Sequence, residues 1–359
     1  MFTKPMSIMS AHPKIFIDCN RAKANLKTVF DDVRFSDIQF RPHFKTHQSV
    51  GAGLWFRNAG IEKITVSSLQ MAEYFAAAGW NDILIAMPLN PNLIVQYDAL
   101  AAKIKLHLLV DNVEILSNAL SAIQNPVSFY LKADVGYGRA GWPAENTIEF
   151  LKAFQMIQKN NKHLFSGILS HFGNTYNAKS TEEIKKINLT SITRLRVLQE
   201  FLESQTGIPC PLSIGDTPSL PHYTPEMLKN ISELRPGNFV YYDMMQVALS
   251  TCNINQVATV LECDILSVYP DRNEALVHAG SIHLSKEVCQ MPDGKPGFGA
   301  LVRLNTDSIG NVIEGCFVDR LSQEHGILRV TPEFFEEFHS GDTIGLLPVH
   351  SCLMVAANK

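Results

Sequence analysis

No stretch of this 359-residue sequence approaches the roughly 18 consecutive apolar residues of a membrane span, and residues 1–13 carry no apolar core of the secretory kind. The expectation is a cytoplasmic protein with no membrane partner. Basic excess is also missing. The 31 Lys and Arg face 35 Asp and Glu, a formal net charge of -4, which argues against nucleic acid or an anionic surface as the main partner. Cysteines are few, odd in number and scattered, at Cys19, Cys210, Cys252, Cys263, Cys289, Cys316 and Cys352, with no Cys-x-x-Cys. A disulfide framework is therefore not expected, and most of them should act as small buried hydrophobes. Internal repeats and low-complexity segments are absent. What remains is globular in composition, 46% hydrophobic and 18% charged, and long enough for one barrel with an appendage.

Apolar runs with strand character fall at 37–45, 63–68, 82–87, 104–111, 127–135, 164–171, 211–215 and 238–242. Between them lie amphipathic stretches such as 69–78 and 182–204, the latter with Ile184, Ile187, Leu195, Leu198 and Leu202 at helical spacing. Eight strands alternating with helices, several nearly all apolar, predict an α/β fold, a (β/α)8 barrel of the TIM type. An open doubly wound sheet has the same periodicity and stays open at this point. Beyond Met244 the pattern changes to short β-rich runs at 257–269, 274–279, 301–304, 311–318, 326–330 and 343–348, with one helical stretch at 332–339. This predicts a second, mainly β domain. The organisation expected is a barrel over 20–250, with 1–19 and 251–359 forming the β domain and the strand at 14–18 joining it.

The segment Arg41-Pro42-His43-Phe44-Lys45-Thr46-His47 sits where a strand hands over to a helix. An ordinary lysine, with a pKa near ~10.4, is no nucleophile at neutral pH, but burial or neighbouring cations can change that, and Arg41, His43 and His47 are the neighbours to hand. Such a lysine serves in covalent attachment of an aldehyde cofactor; a solvated lysine at a strand end is the plainer reading of the residue types. Barrel chemistry belongs at the C-terminal ends of strands, and the unusual residues gather there. Asp134-Val135-Gly136-Tyr137-Gly138-Arg139 closes the fifth predicted strand, His171-Phe172-Gly173-Asn174-Thr175-Tyr176 the sixth, Ser213 to Ser219 the seventh and Tyr241-Tyr242-Asp243 the eighth. Ser213 to Ser219 offers Gly215 and small hydroxyls where barrels bind phosphate, although a plain Gly/Pro turn reads the same way. Arg139 suits a carboxylate or phenolate, or an ion pair with Asp134. Near the end, His350 and Cys352 share a face if the backbone is extended. Imidazole with thiolate favours Zn²⁺ over Mg²⁺ or Ca²⁺, though two ligands fall short of the usual three.

Pro42-His43-x-Lys45-Thr46-His47 resembles the cofactor-lysine motif of the D-serine dehydratase and D-threonine aldolase family, enzymes of the alanine-racemase fold that use pyridoxal 5′-phosphate. The resemblance implies that Lys45 bears the cofactor and acts in catalysis. It implies that Arg139, Tyr176, Gly215, Asp216 (by its backbone), Thr217 and Tyr242 bind the cofactor, with Tyr176 against its ring. It further implies that His350 and Cys352 hold Zn²⁺. The dehydratase branch ends in a similar His-x-Cys, whereas the aldolases carry His-x-Asp and take a harder ion. Dehydration of a D-3-hydroxy amino acid such as D-serine to a 2-oxo acid and ammonia is thus the implied activity. A metal-dependent aldolase giving glycine and an aldehyde, and a non-catalytic carrier of pyridoxal phosphate, are the alternatives. Racemisation would need a second acid-base group that the sequence does not offer. A homodimer is implied as well. His278, where relatives usually have an acid, and Glu287, where Asp is common, depart from the pattern.

Overall fold

The computed structural model describes residues 13–291 and 293–359. The chain divides into two compact units, 26–239 and 1–25 with 240–359. The division falls within the helix Cys19–Phe30 at one end and ahead of Tyr242 at the other.

In the 26–239 unit eight parallel strands follow one another around a barrel: Gln39–Phe40, Lys63–Val66, Asp82–Pro88, Lys105–Val110, Ser128–Asp134, Leu164–Leu169, Leu212–Ile214 and Ile231–Leu234. The last pairs with the first, Glu233 opposite Gln39. A parallel bridge between His43 and Thr65 joins the first to the second, with Thr65 N–H donating to Pro42 O and Phe44 N–H to Thr65 O. Both edges of an open sheet are thereby consumed, so the doubly wound alternative falls. Helices cover the outside, begun by side-chain caps: Ser49 accepts from Ala52 N–H, Ser68 from Met71 and Ser180 from Glu183. The long helix Thr181–Thr206 stops at Gly207, whose φ of 69° suits the left-handed cap. Leu84, Leu109, Tyr130 and Leu169 form an apolar layer of buried side chains contributed by four strands.

One predicted strand is corrected. The eighth is Ile231–Leu234, while Asn238–Val240 forms a 3-10 turn. The sequence Ile-Ser-Glu-Leu reads as half surface because Glu233 looks solvated; in the barrel it is buried against Arg41. The first strand also shrinks to Gln39–Phe40, since Pro42 has no N–H for a ladder. Backbone bonds from Arg41 to Leu234 and from His43 to Pro236 carry the path onward.

The other unit is an antiparallel β structure. Lys14–Ile17 pairs with Thr259–Tyr269, which continues through Glu274–His278, His325–Arg329, Ile309–Leu321, Gly299–Leu304 and Thr343–Pro348. The last of these returns to pair with Thr259–Tyr269, Leu346 opposite Leu261, closing the sheet on itself. Its core holds Leu261, Ile265, Val277, Leu301, Val318, Leu328 and Leu346. Lys14–Ile17 is an edge strand of this sheet. A helix that periodicity did not signal, Ser351–Ala357, follows the last strand.

Candidate functional site

Lys45 lies five residues past the first barrel strand, half-buried, its amide facing His43 Nδ1 at 3.4 Å. The cations expected around it are not those that the motif suggests. Arg41 turns into the barrel, where its guanidinium, 2% exposed, pairs with Asp82 at 2.5 Å and Glu233 at 2.7 Å. His47 is buried between Phe44 and Phe56, and its Nδ1 accepts the Ser49 amide. Burial pushes it down to about 3, so its ring is neutral. His43 falls well below the usual imidazole range, through burial first and then the charges of Lys45, Arg235, His171 and Arg139. Positive charge near Lys45 thus comes from Arg139 and Arg235, brought in from the ends of the fifth and eighth strands.

Arg139 is exposed and lies over the Tyr137 ring at 5.2 Å. Its expected competitor is otherwise engaged: the Asp134 carboxylate accepts the amides of Gly136, Tyr137 and Gly138. Among the described residues no acid pairs with Arg139, leaving a guanidinium open to an anionic ligand. His171 donates from Nδ1 to Gly215 O at 2.8 Å, and its ring lies 5.8 Å from Tyr137 and 6.3 Å from Tyr176. Burial, with Arg139 and Lys45 nearby, lowers it to about 3.

After the seventh strand, Gly215 takes φ +153°, and a Cβ there would meet the Arg235 amide nitrogen at 2.7 Å. Only glycine allows this approach. The Asp216 carboxylate turns inward and accepts from Ser219 N–H, Ser219 Oγ and Thr175 Oγ1; burial nonetheless raises it to about 6. Thr217 Oγ1 is buried with no hydrogen-bond partner among the described residues. A native fold seldom leaves such a group unsatisfied, and a phosphate oxygen would satisfy it. Tyr242 is not on a barrel strand; it is buried, with a φ of 50°, in the other unit.

In that unit His350 is extended at the start of Ser351–Ala357, and Cys352 is in the first helical turn. The expected fully extended backbone is therefore replaced by a cap, yet the two side chains still meet in a hydrogen bond. Asp243 fixes the helix start by accepting Ser351 N–H at 3.0 Å. Burial would lower the His350 pKa, but hydrogen bonds to Cys352 and Glu287 outweigh it and raise the group to about 11. All seven cysteines are free, Cys352 among them. A nitrogen and a soft sulfur side by side form a donor set suited to Zn²⁺.

Residues 17–244 match the family described as "Alanine racemase, N-terminal domain" and residues 258–359 the "Putative serine dehydratase domain". A D-serine dehydratase of Dictyostelium discoideum is 31% identical over 345 residues, 89% of this chain and 84% of that protein. The chain belongs to the D-serine dehydratase family. Its fold is that of the alanine racemases, and its class is that of the ammonia-releasing lyases. Among solved structures, D-threo-3-hydroxyaspartate dehydratase from Delftia sp. matches with a TM-score of 0.87 at 26% identity, covering 97% of this chain and 93% of that one. A cysteine-to-alanine mutant of that enzyme, in its metal-free form, matches with a TM-score of 0.87 at 25% identity over 97% and 93% of the two chains.

Two barrel residues of this D-serine dehydratase family member escaped the sequence reading. Arg235 is buried and donates to Ser213 Oγ at 3.0 Å and Ser170 O at 2.6 Å. Lys132, also buried, donates to Ala133 O, and burial followed by the charges of Arg235 and Arg139 lowers it to about 7. Neither has a local signal, because a lone Arg or Lys by a strand reads as solvated. A further donor cluster, His278, His283 and Glu324, lies in the β unit within 4.8 Å. Its His283 Nδ1 accepts the Gly280 amide, which leaves the hydrogen of the neutral ring on Nε2 and withholds that atom from a metal.

Proposed function

We propose that the chain dehydrates a D-3-hydroxy amino acid of the D-serine kind to a 2-oxo acid and ammonia, using pyridoxal 5′-phosphate and Zn²⁺. The observation that carries the reading is the His350–Cys352 pair, a nitrogen-sulfur donor set at one helix start, in a chain whose relatives include D-serine dehydratases and a D-threo-3-hydroxyaspartate dehydratase at 27–31% identity and a D-threonine aldolase at 23%. The orphaned Thr217 hydroxyl and the glycine-only approach at Gly215 support the phosphate site.

When bound, pyridoxal phosphate supplies an aldehyde for the substrate amine and a sink for the negative charge left at the α-carbon. Lys45 would hold the cofactor, and its Nζ would take the proton from the substrate α-carbon. Arg139 neutralises an anionic oxygen of substrate or cofactor, and its charge lasts across the working pH range. The backbone of Gly215 and Asp216 and the hydroxyls of Thr217 and Tyr242 would hold the phosphate, and Tyr176 would pack against the ring. His171, neutral and bound to Gly215 O, stiffens the loop. Zn²⁺ supplies Lewis acidity to the leaving hydroxyl. His350 and Cys352 would hold it, two protein ligands being fewer than the three usual at a catalytic zinc.

Cys352 in place of an acid favours elimination over retro-aldol cleavage, because a thiolate selects a softer ion. The test is product analysis with D-serine and D-threonine, with and without chelator. We expect pyruvate and 2-oxobutanoate, loss of both on chelation, and recovery with Zn²⁺. Glycine and acetaldehyde from D-threonine would establish the aldolase instead. Bound cofactor with no turnover of any D-amino acid would establish a carrier.

A further inference from the structure

The fold takes some trouble to place Glu287 at the imidazole of His350. Glu287 follows the short helix Ser281–Leu284 across Ser285, a non-glycine residue with φ +86°. Such a conformation is strained and persists only where the surroundings impose it. Ser285 Oγ accepts the Glu287 amide at 3.3 Å, and Asn358 Nδ2, just past the C-terminal helix, donates to His283 O at 2.8 Å. The loop is thereby tied to the helix that bears Cys352. The result is a 2.8 Å contact between Glu287 Oε2 and His350 Nδ1.

An ionised carboxylate only accepts, so Nδ1 carries a hydrogen whether the ring is charged or neutral. The proton that a metal would displace is therefore the one on Nε2, the nitrogen left to face Cys352. Glu287 is not itself gathered with that pair: the one set of three donors within 4.8 Å among the described residues is His278, His283 and Glu324. It sits instead on the far side of the imidazole. We propose that Glu287 is a positioning residue, which holds His350 in the tautomer that presents Nε2 to the metal and makes that nitrogen a stronger donor. The inference rests on the zinc reading above.

The test is a Zn²⁺ titration against a chromophoric chelator, on cofactor-loaded protein stripped of metal, for wild type, Glu287→Gln, Glu287→Ala, Glu287→Asp and Cys352→Ala. Affinity should fall about 10–100-fold in Glu287→Ala. It should fall less in Glu287→Gln, whose amide oxygen still accepts the Nδ1 hydrogen without the charge, and recover in part in Glu287→Asp. The metal-free protein should keep the wild-type circular dichroism spectrum in Glu287→Gln, since this side chain is 41% exposed. Wild-type zinc affinity in Glu287→Ala overturns the positioning role and leaves the zinc reading intact. Loss of that spectrum in metal-free Glu287→Gln overturns it too, by making the role structural. Wild type binding zinc no tighter than Cys352→Ala overturns the zinc reading itself, and this inference with it.

Discussion

Thr217 illustrates how one atom can separate stability from binding. Its buried hydroxyl has no partner among the described residues, so the empty protein loses nothing when it is removed. Thr217→Val should leave the denaturation midpoint of cofactor-free protein unchanged or slightly higher, while weakening cofactor binding by about 1.5–3 kcal/mol, the range for a hydrogen bond to a charged group. Equilibrium dialysis against pyridoxal phosphate and a urea titration would read the two effects apart. Arg139 offers a second residue-level test. Arg139→Lys keeps the charge but loses the planar fork, so kcat/KM for D-serine should drop by about tenfold or more although the charge is unchanged. These residues were legible because each belongs to a short contiguous phrase, as Lys45 does. Arg235 and Lys132 were not, since a buried charge depends on neighbours from other strands and looks like a surface residue in one dimension.

At the scale of elements, the barrel is drawn together by a buried polar network. Arg41 bridges the third and eighth strands through Asp82 and Glu233; Tyr130 and Ser213 also donate to Glu233, and His107 Nε2 lies 3.0 Å from Asp82. Burial opposes ionisation of both carboxyls, but His107 and Arg41 hold Asp82, and Arg41 and Ser213 hold Glu233, below their unfolded values of 3.8 and 4.5. The unfolded chain therefore takes up more protons on acidification. Stabilisation from this pair is complete above about pH 4.5 and is lost as pH falls through the lower folded values. Arg41→Met should cost about 3–5 kcal/mol at pH 7 by leaving two carboxylates uncompensated. The acid-side fall in stability should then flatten, which urea midpoints across roughly pH 2–5 would show. The same network explains why the eighth strand was misplaced: Glu233 breaks the apolar run that a sequence reader looks for, and its partner is 192 residues away.

For the whole molecule, the expected state is a homodimer, twice the 40.0 kDa chain, measurable by light scattering. No helix among the described residues is long and apolar enough to cross a membrane. Removing zinc should abolish elimination without unfolding the protein, because His350 and Cys352 are at one helix start rather than at the centre of the β core. A chelator-induced collapse of the circular dichroism signal would show the metal to be structural instead.

Strand and helix rhythm, the change to β runs past Met244, and the phrases around Lys45, Arg139, Gly215 and His350 were all available from the sequence, because periodicity and contiguous motifs are local properties. Barrel closure, the neutralisation of Arg41, the arrival of Arg235 and the contact of Glu287 with His350 were decided only in three dimensions. Each of them depends on which distant groups exclude water from one another, and burial is a property of the assembled fold rather than of any segment in it.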